Sequence, residues 1–181
     1  MPTVSDQEIL QLYKSKGKRE EAFNILVRKY QERLYYHIRR IVLEHEDADD
    51  VIQNTFIKIW NGLENFRAES KMYTWLYRIA TNEALTFLKK KRSREYIHDG
   101  DDYIKDTLLA DPWFNGEEVQ ARLMVAINKL PEKQRMVFQL KYYEEMKYDQ
   151  IAEILGTSVG ALKASYHHAV TKLKNEMGLS D

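Results

Sequence analysis

The stretch Tyr148-Asp-Gln-Ile-Ala-Glu-Ile-Leu-Gly-Thr-Ser-Val-Gly-Ala-Leu-Lys-Ala-Ser-Tyr-His-His-Ala169 reads as a helix-turn-helix. Ile151, Ala152 and Leu155 share one apolar face of a first helix. Gly156 stops that helix, because glycine takes a positive φ at no steric cost. Ser158 is placed to cap the next helix with its hydroxyl. Val159, Leu162, Tyr166, Ala169, Val170 and Leu173 then recur at helical spacing. Two short helices across a tight glycine turn can lay the second in a DNA major groove. Candidate DNA contacts on it are Lys163, Ser165, His167 and His168, with Lys172 and Lys174 near phosphates. The competing reading is a packed helix pair whose outer polar face is only solvated.

Working upstream, Pro131 opens a helix at its first position, running to about Glu144. Val119, Leu123, Ile127 and Leu130 line the helix before it, which starts near Glu118 and stops ahead of the proline. With the helix-turn-helix these make one domain, residues 118–181. Residues 92–117 lose periodicity. Acids, Gly100, Pro112 and Gly116 mark 95–117 as a linker, although Leu108-Leu109 and Trp113-Phe114 are apolar enough to dock somewhere.

Residues 1–94 read as the other domain. A short helix is predicted at Asp6–Lys16, with Ser5 as cap and Glu8 at the capping-box position. A long helix follows over Glu21–Leu43, with Phe23, Leu26, Tyr30, Leu34, Ile38 and Ile41 as its buried stripe. Asp47 is placed to cap the next helix, Ala48–Gly62, with Val51, Ile52, Phe56, Ile59 and Trp60 inward. A polar loop over 63–71 leads to a last helix, Met72–Lys91. The expected fold is therefore all-α: two small helical domains on an acidic linker.

Composition excludes several classes. The 181 residues contain no cysteine, so there is no disulfide framework and no thiolate metal site. No apolar run resembles a signal peptide or approaches a bilayer span. The net charge of zero hides a pattern. Residues 21–95 carry 14 Lys/Arg against 11 Asp/Glu, and 119–181 carry 9 against 7, whereas 96–118 hold seven acids and only Lys105. Two mildly basic blocks suit phosphate contact, with an acidic connector between them.

One further cluster carries chemistry. From Asn65 to Asn82, aromatics, cations and amides alternate: Phe66, Arg67, Lys71, Tyr73, Trp75, Arg78 and Asn82. Such mixtures grip single-stranded nucleic acid, with rings on bases and cations on phosphates, and polar pockets hold an extruded base. Phe66 and Tyr73 are the rings expected to be exposed, while Trp75 fits a core position. The run Lys89-Lys-Lys-Arg-Ser-Arg94 either follows a DNA backbone or complements a helix C-terminus. The acidic run Glu44–Asp50 lacks the glycine and distal glutamate of a calcium loop and reads as a solvated helix start. No catalytic constellation, metal site or cofactor motif is found.

Four blocks in this order resemble the sigma-70 superfamily of bacterial sigma factors, in the small extracytoplasmic-function group. They are Asp47-Ala-Asp-Asp-Val-Ile-Gln-Asn-Thr-Phe-Ile-Lys-Ile-Trp60, Phe66-Arg-Ala-Glu-Ser with Thr74-Trp-Leu-Tyr-Arg-Ile-Ala-Thr-Asn82, Leu130-Pro-Glu-Lys-Gln-Arg-Met-Val-Phe138, and the helix-turn-helix. The resemblance implies a transcription initiation factor that is not an enzyme and needs no cofactor. It implies binding to core RNA polymerase: the β′ clamp coiled coil through Asp50, Gln53, Asn54 and Lys58, and the β flap through the second domain. It implies −10 recognition and melting by Asn65, Phe66, Arg67, Lys71, Tyr73, Trp75, Arg78 and Asn82. It implies −35 recognition by Ser158, Lys163, Ser165, Tyr166, His167, His168 and Lys172. Asn54 stands where the family usually has Glu, and Ser165 and His168 where relatives often carry Arg. An anti-sigma partner and a cytoplasmic location without membrane insertion are expectations of the group. The alternative kept beside this reading is a stand-alone helix-turn-helix regulator of duplex DNA.

Overall fold

The computed structural model describes residues 4–94, 101–109 and 116–179, and every regular element among them is helical. Contacts between Cα atoms divide the chain into two compact units, Met1–Lys89 and Lys90–Asp181.

The first unit is built from α1 (Asp6–Lys14), α2 (Arg19–Val42), α3 (His45–Leu63) and most of α4 (Met72–Arg94). α1 starts where the sequence predicts. The Ser5 hydroxyl accepts from Glu8 N–H and the Glu8 carboxylate accepts from Ser5 N–H, which closes the capping box. The Asp6 carboxylate then accepts from the Tyr30 hydroxyl and from Lys29, fastening α1 to α2. Burial and that carboxylate hold the Tyr30 phenol protonated well above its ordinary range. The α2 stripe buries Leu26, Tyr30, Leu34, Ile38 and Ile41, with Phe23 half-buried.

α3 departs from expectation at its start. It begins at His45 with Glu44 as cap and no capping side chain, so Asp47 lies inside the first turn. An acid there still complements the positive end of the helix dipole. The buried residues are Ala48, Val51, Thr55, Ile59 and Leu63, spaced four apart after the first step, while Ile52 and Phe56 are half-buried. Trp60 is 36% exposed and lies on the rim, edge-on to Phe23 (5.0 Å) and Tyr13 (6.4 Å). The small Thr55, whose hydroxyl donates to Val51 O, holds the inward position that periodicity alone gives to larger neighbours.

The second unit contains α5 (Asp101–Leu109), α6 (Glu118–Asn128), α7 (Glu132–Tyr142), α8 (Tyr148–Leu155) and α9 (Val159–Glu176). α5 lies inside the stretch expected to be an irregular linker. It packs on α6 with Ile104 and Leu108 buried, and Lys105 pairs with Glu118 at 3.2 Å. Leu109 faces solvent, and Trp113 and Phe114 lie outside the described residues. On α6 the buried set is Ala121, Met124, Val125, Ala126 and Ile127, and the expected core residue Val119 is 58% exposed. Pro131 caps α7 from the preceding position rather than opening it.

Candidate nucleic-acid interface

The helix-turn-helix forms as the sequence dictates. Gly156 ends α8 in the left-handed region, φ 63° and ψ 36°, and its N–H bonds to Ala152 O. Nothing lies within 4 Å of where a Cβ would project, so the glycine is needed for its backbone conformation rather than for space. Two residues later the Ser158 hydroxyl accepts from Ala161 N–H at 3.3 Å and caps α9. Ile151 and Ile154 of α8 and Leu162, Ala169 and Leu173 of α9 are buried, so α9 turns its other side outward.

That outer side separates the candidate readers. Lys163, His167, His168 and Lys172 are exposed, and the two histidines point about 100° apart around the helix axis. Ser165 is half-buried, and the Ser158 hydroxyl is engaged as the cap. Tyr166 turns inward: its ring stacks on Phe138 at 5.9 Å and meets Tyr148 edge-on at 6.4 Å. Burial, then the neighbouring Tyr148 and Tyr142, raise its phenol pKa. Between the flanking polar groups, Gly160, Ala161 and Ala164 leave the first two turns of α9 low and exposed. No acid stands in the first turn, so the positive end of the dipole is uncompensated there.

In the first unit a second surface forms around α4. Asn65 N–H and Phe66 N–H bond back to Gly62 O and Leu63 O, which turns the chain tightly off α3. The Phe66 ring then rests on Trp75, centroids 4.9 Å apart and tilted by 37°. Trp75 also lies against Gly62, where an added Cβ would come within 3.0 Å of the indole. Neither ring is wholly free and neither is core: both are half-buried. Trp75, Arg78 and Asn82 follow at steps of three and four, so they share one face of α4, and Lys71 stands just ahead of its first residue. Lys71, Arg78 and Asn82 are exposed, as are Asn65 and Arg67 in the loop. Two neighbouring acids are paired, Glu64 with Arg19 at 3.0 Å and Glu83 with Lys58, and the exposed Glu69 offsets part of the charge of Arg67, Lys71 and Arg78, which leaves the surface mildly cationic.

Tyr73 does not belong to that face. Nine residues from Asn82, it lies about 180° around α4. Its ring packs on Tyr77 (4.6 Å) and Tyr30 (6.5 Å), the Arg33 guanidinium lies 4.9 Å above it, and Arg33 donates to its hydroxyl at 3.1 Å. It is a half-buried part of the α2–α4 packing, not the exposed ring expected from its neighbours in sequence. Behind the Asn82 face, His37 is wholly buried beside Tyr77. The Thr81 hydroxyl donates to Tyr77 O (2.7 Å) and so accepts from His37 Nε2–H at 2.8 Å. Burial, with Arg40 nearby, pushes the imidazole pKa down to about 3.

Of the candidate polymerase contacts, Asp50, Gln53 and Asn54 are exposed together on α3. Lys58 is exposed too, but its ammonium is paired with Glu83 of α4. The structure adds Ile57, 58% exposed and within one turn of Gln53 and Asn54. Its signal in the sequence is an isoleucine out of phase with Val51, Thr55 and Ile59. Among the described residues no group of three or more His, Cys, Asp or Glu is arranged to hold a metal ion.

Comparison with known proteins gives these surfaces a context. Residues 26–94 match the model of Sigma-70 region 2 and residues 120–173 that of Sigma-70 region 4. The chain is 33% identical over 174 residues to the RNA polymerase sigma-H factor of Pseudomonas aeruginosa, covering 91% of this chain and 89% of the relative. It is 30% identical over 184 residues to the ECF RNA polymerase sigma-E factor of Haemophilus influenzae, covering 96% of each. In fold it is similar to CnrH, solved in complex with the cytosolic domain of CnrY, with TM-score 0.71 at 22% identity over 97% of this chain and 99% of that one. It is also similar to the sigma factor RpoE of Bartonella quintana, solved with the anti-sigma factor NepR, with TM-score 0.70 at 20% identity over 89% and 99%. The chain thus belongs to the sigma-70 family, in its extracytoplasmic-function group, and is a transcription initiation factor that directs RNA polymerase to promoters.

Proposed function

We propose that this chain divides promoter recognition between its two surfaces. The exposed α3 face of Asp50, Gln53, Asn54 and Ile57 docks on core RNA polymerase. The loop and α4 face of Asn65, Phe66, Arg67, Lys71, Trp75, Arg78 and Asn82 takes the −10 element and holds its opened strand. The α9 face around Lys163, His167, His168 and Lys172 reads the −35 duplex, while the second unit meets the β flap. The acidic stretch 95–117 links them, with α5 inside it folded onto α6 rather than left as free tether. The observation that carries this reading is the pairing, in one chain, of a half-buried Phe66–Trp75 ring pair within a cationic rim and a helix-turn-helix whose outer face is low and polar.

The physical logic favours action on the polymerase. Each surface is only mildly basic, so each binds DNA weakly by itself. Tethering both to one enzyme raises their effective concentration at two linked sites. No helix among the described residues is long and apolar enough to cross a membrane, and we place the chain with the polymerase in the cytoplasm. By likeness to the RpoE–NepR pair, an anti-sigma partner is part of the proposal. The test is reconstitution with core polymerase, followed by pull-down, run-off transcription and permanganate footprinting. Promoter-specific initiation and reactive −10 thymines are expected. Duplex binding that is indifferent to core polymerase would favour the stand-alone regulator instead.

A further inference from the structure

We propose that Tyr148 is a positioning residue for DNA contact: its ring fixes Lys163, so that the lysine reaches one phosphate of the −35 duplex from a preset place. This rests on the duplex-reading role proposed for α9.

The argument begins with how little cationic reach the front of α9 has. Among its first eight residues, Val159 to Tyr166, Lys163 is the one charged side chain. Gly160, Ala161 and Ala164 around it are too short to hold a long side chain in place. An exposed lysine on such a surface samples many rotamers, and ordering it on a phosphate costs entropy. Here Lys163 Nζ lies 5.9 Å from the centroid of the Tyr148 ring, within the range where an ammonium is attracted to a ring face.

The ring is itself fixed from three helices. Tyr148 is the first residue of α8. From α9, Tyr166 meets it edge-on at 6.4 Å and is in turn stacked on Phe138 of α7. From the end of α7, Lys141 Nζ lies 4.9 Å from its centroid. Lys141 also donates to Met146 O at 3.1 Å, so its ammonium is anchored by backbone. The two lysines are therefore not equivalent. Lys141 is a half-buried internal strut, while Lys163 is exposed, farther from the ring and turned toward solvent. Two like charges near one aromatic ring repel each other, which favours the looser one engaging an external anion. A line from Phe138 through Tyr166 and Tyr148 to Lys163 thus carries the rigidity of the packed unit to a side chain that has no packing of its own.

The experiment uses the full chain assembled with core polymerase. It measures affinity for a −35 duplex across a salt series with wild type, Lys163→Ala, Tyr148→Phe, Tyr148→Leu and the double variant Tyr148→Leu/Lys163→Ala. Lys163→Ala is expected to lower the slope of log affinity against log salt by about one. Tyr148→Leu should weaken binding about three-fold through lost cation–π restraint. Tyr148→Phe, which keeps the ring face, should stay within two-fold of wild type. In the double variant the tyrosine substitution should add nothing to the loss from Lys163→Ala, because its effect passes through that lysine. Additive losses, or an equal loss for the Phe and Leu variants, would overturn the proposal and leave Tyr148 as packing alone. If Lys163→Ala itself leaves duplex affinity and salt slope unchanged, Lys163 meets no phosphate and this inference fails; the duplex-reading role of α9 fails only if substitutions at His167, His168 and Lys172 also leave duplex binding unchanged. Thermal melting of each variant separates loss of contact from loss of fold.

Discussion

The α4 surface and the α9 surface are both candidate faces for DNA, yet they are made from opposite materials. The first is built of rings that lean on one another, Phe66 on Trp75 and Trp75 on Gly62, with cations around them. The second is built of absence: Gly160, Ala161 and Ala164 lie between longer polar side chains. The difference follows from what each would have to do. Holding an unpaired base means replacing the stacking it loses, which only flat apolar surface supplies. Reading a closed duplex means bringing a helix backbone close to base edges, which bulky packing would prevent.

The sharpest way to break this contrast is to remove the indole. Trp75→Ala should lower open-complex formation on duplex promoters by about 5- to 150-fold, the range implied by one lost base–ring stack. A template already mismatched at −10 should recover part of the loss, because unpairing no longer opposes the step. Permanganate reactivity on both templates measures it; equal opening by mutant and wild type on duplex would show that the ring pair is only packing. Asn82→Ala should give the same pattern more weakly. Tyr73→Ala should instead lower the melting temperature of the first unit, since that ring packs on Tyr30 and Tyr77.

Polymerase docking gives the next effect in size. Asp50→Arg with Gln53→Ala should weaken holoenzyme assembly by about ten-fold or more, since a like-charge or lost contact at an interface costs on the order of a few kcal/mol. Competition against the unmodified chain for core enzyme reads this directly. An unchanged competition curve would remove α3 from the docking surface. Lys58→Ala should do less in the same assay, because its ammonium is already paired with Glu83.

Acid should distinguish the two units. His37 has its pKa pushed from 6.5 down to about 3 in the folded chain, so the unfolded chain takes the proton first. The stability this represents is whole above about pH 6.5 and is lost as pH falls toward the folded value, by about 2 kcal/mol between pH 6.5 and 5. His37 Nδ1 is buried with no hydrogen-bond partner among the described residues, so an added proton there has nothing to meet. In the second unit the described histidines, His167 and His168, are exposed. Hydrogen exchange on the full chain should therefore show α2 and α4 losing protection at pH 5 while α8 and α9 keep theirs. His37→Leu should flatten the trend whatever it does to baseline stability. The smallest effect is expected at Ser158→Ala, about 1 kcal/mol from the lost cap. It should lower the melting temperature without altering base preference at −35.

The turn and the cap of the helix-turn-helix are legible to the residue, because their signals are local: Gly156 must turn and Ser158 must cap. Ser5 and Glu8 are legible for the same reason. The inward face of α8 is less so, since Ile154 is buried while Ala152 and Leu155 are half-buried. What failed needed tertiary knowledge. α5 was hidden because an acid-rich nine-residue helix is held by its packing on α6, not by its own periodicity. Size alone places Trp60 and Val119 inward, while in the fold Thr55 and Ala121 hold such positions. Tyr73 and Asn82 lie in one aromatic and cationic stretch of sequence, which suggests one surface. Their spacing of nine residues puts them on opposite sides of α4, whereas the seating of Trp75 on Gly62 depends on tertiary packing that no spacing encodes.

The low face of α9 also bears on how such a factor can change over evolutionary time. A side chain added at Gly160 would meet open space, with nothing within 4 Å, and Ala161 and Ala164 are exposed beside it. New side chains there would not disturb the core, which rests on Leu162, Ala169 and Leu173 from the other side of the helix. With α9 reading the −35 duplex as proposed, promoter preference can drift, or be redesigned, by substitutions that the fold barely registers. Divergent copies of one gene could come to serve separate sets of promoters while keeping one scaffold and one enzyme.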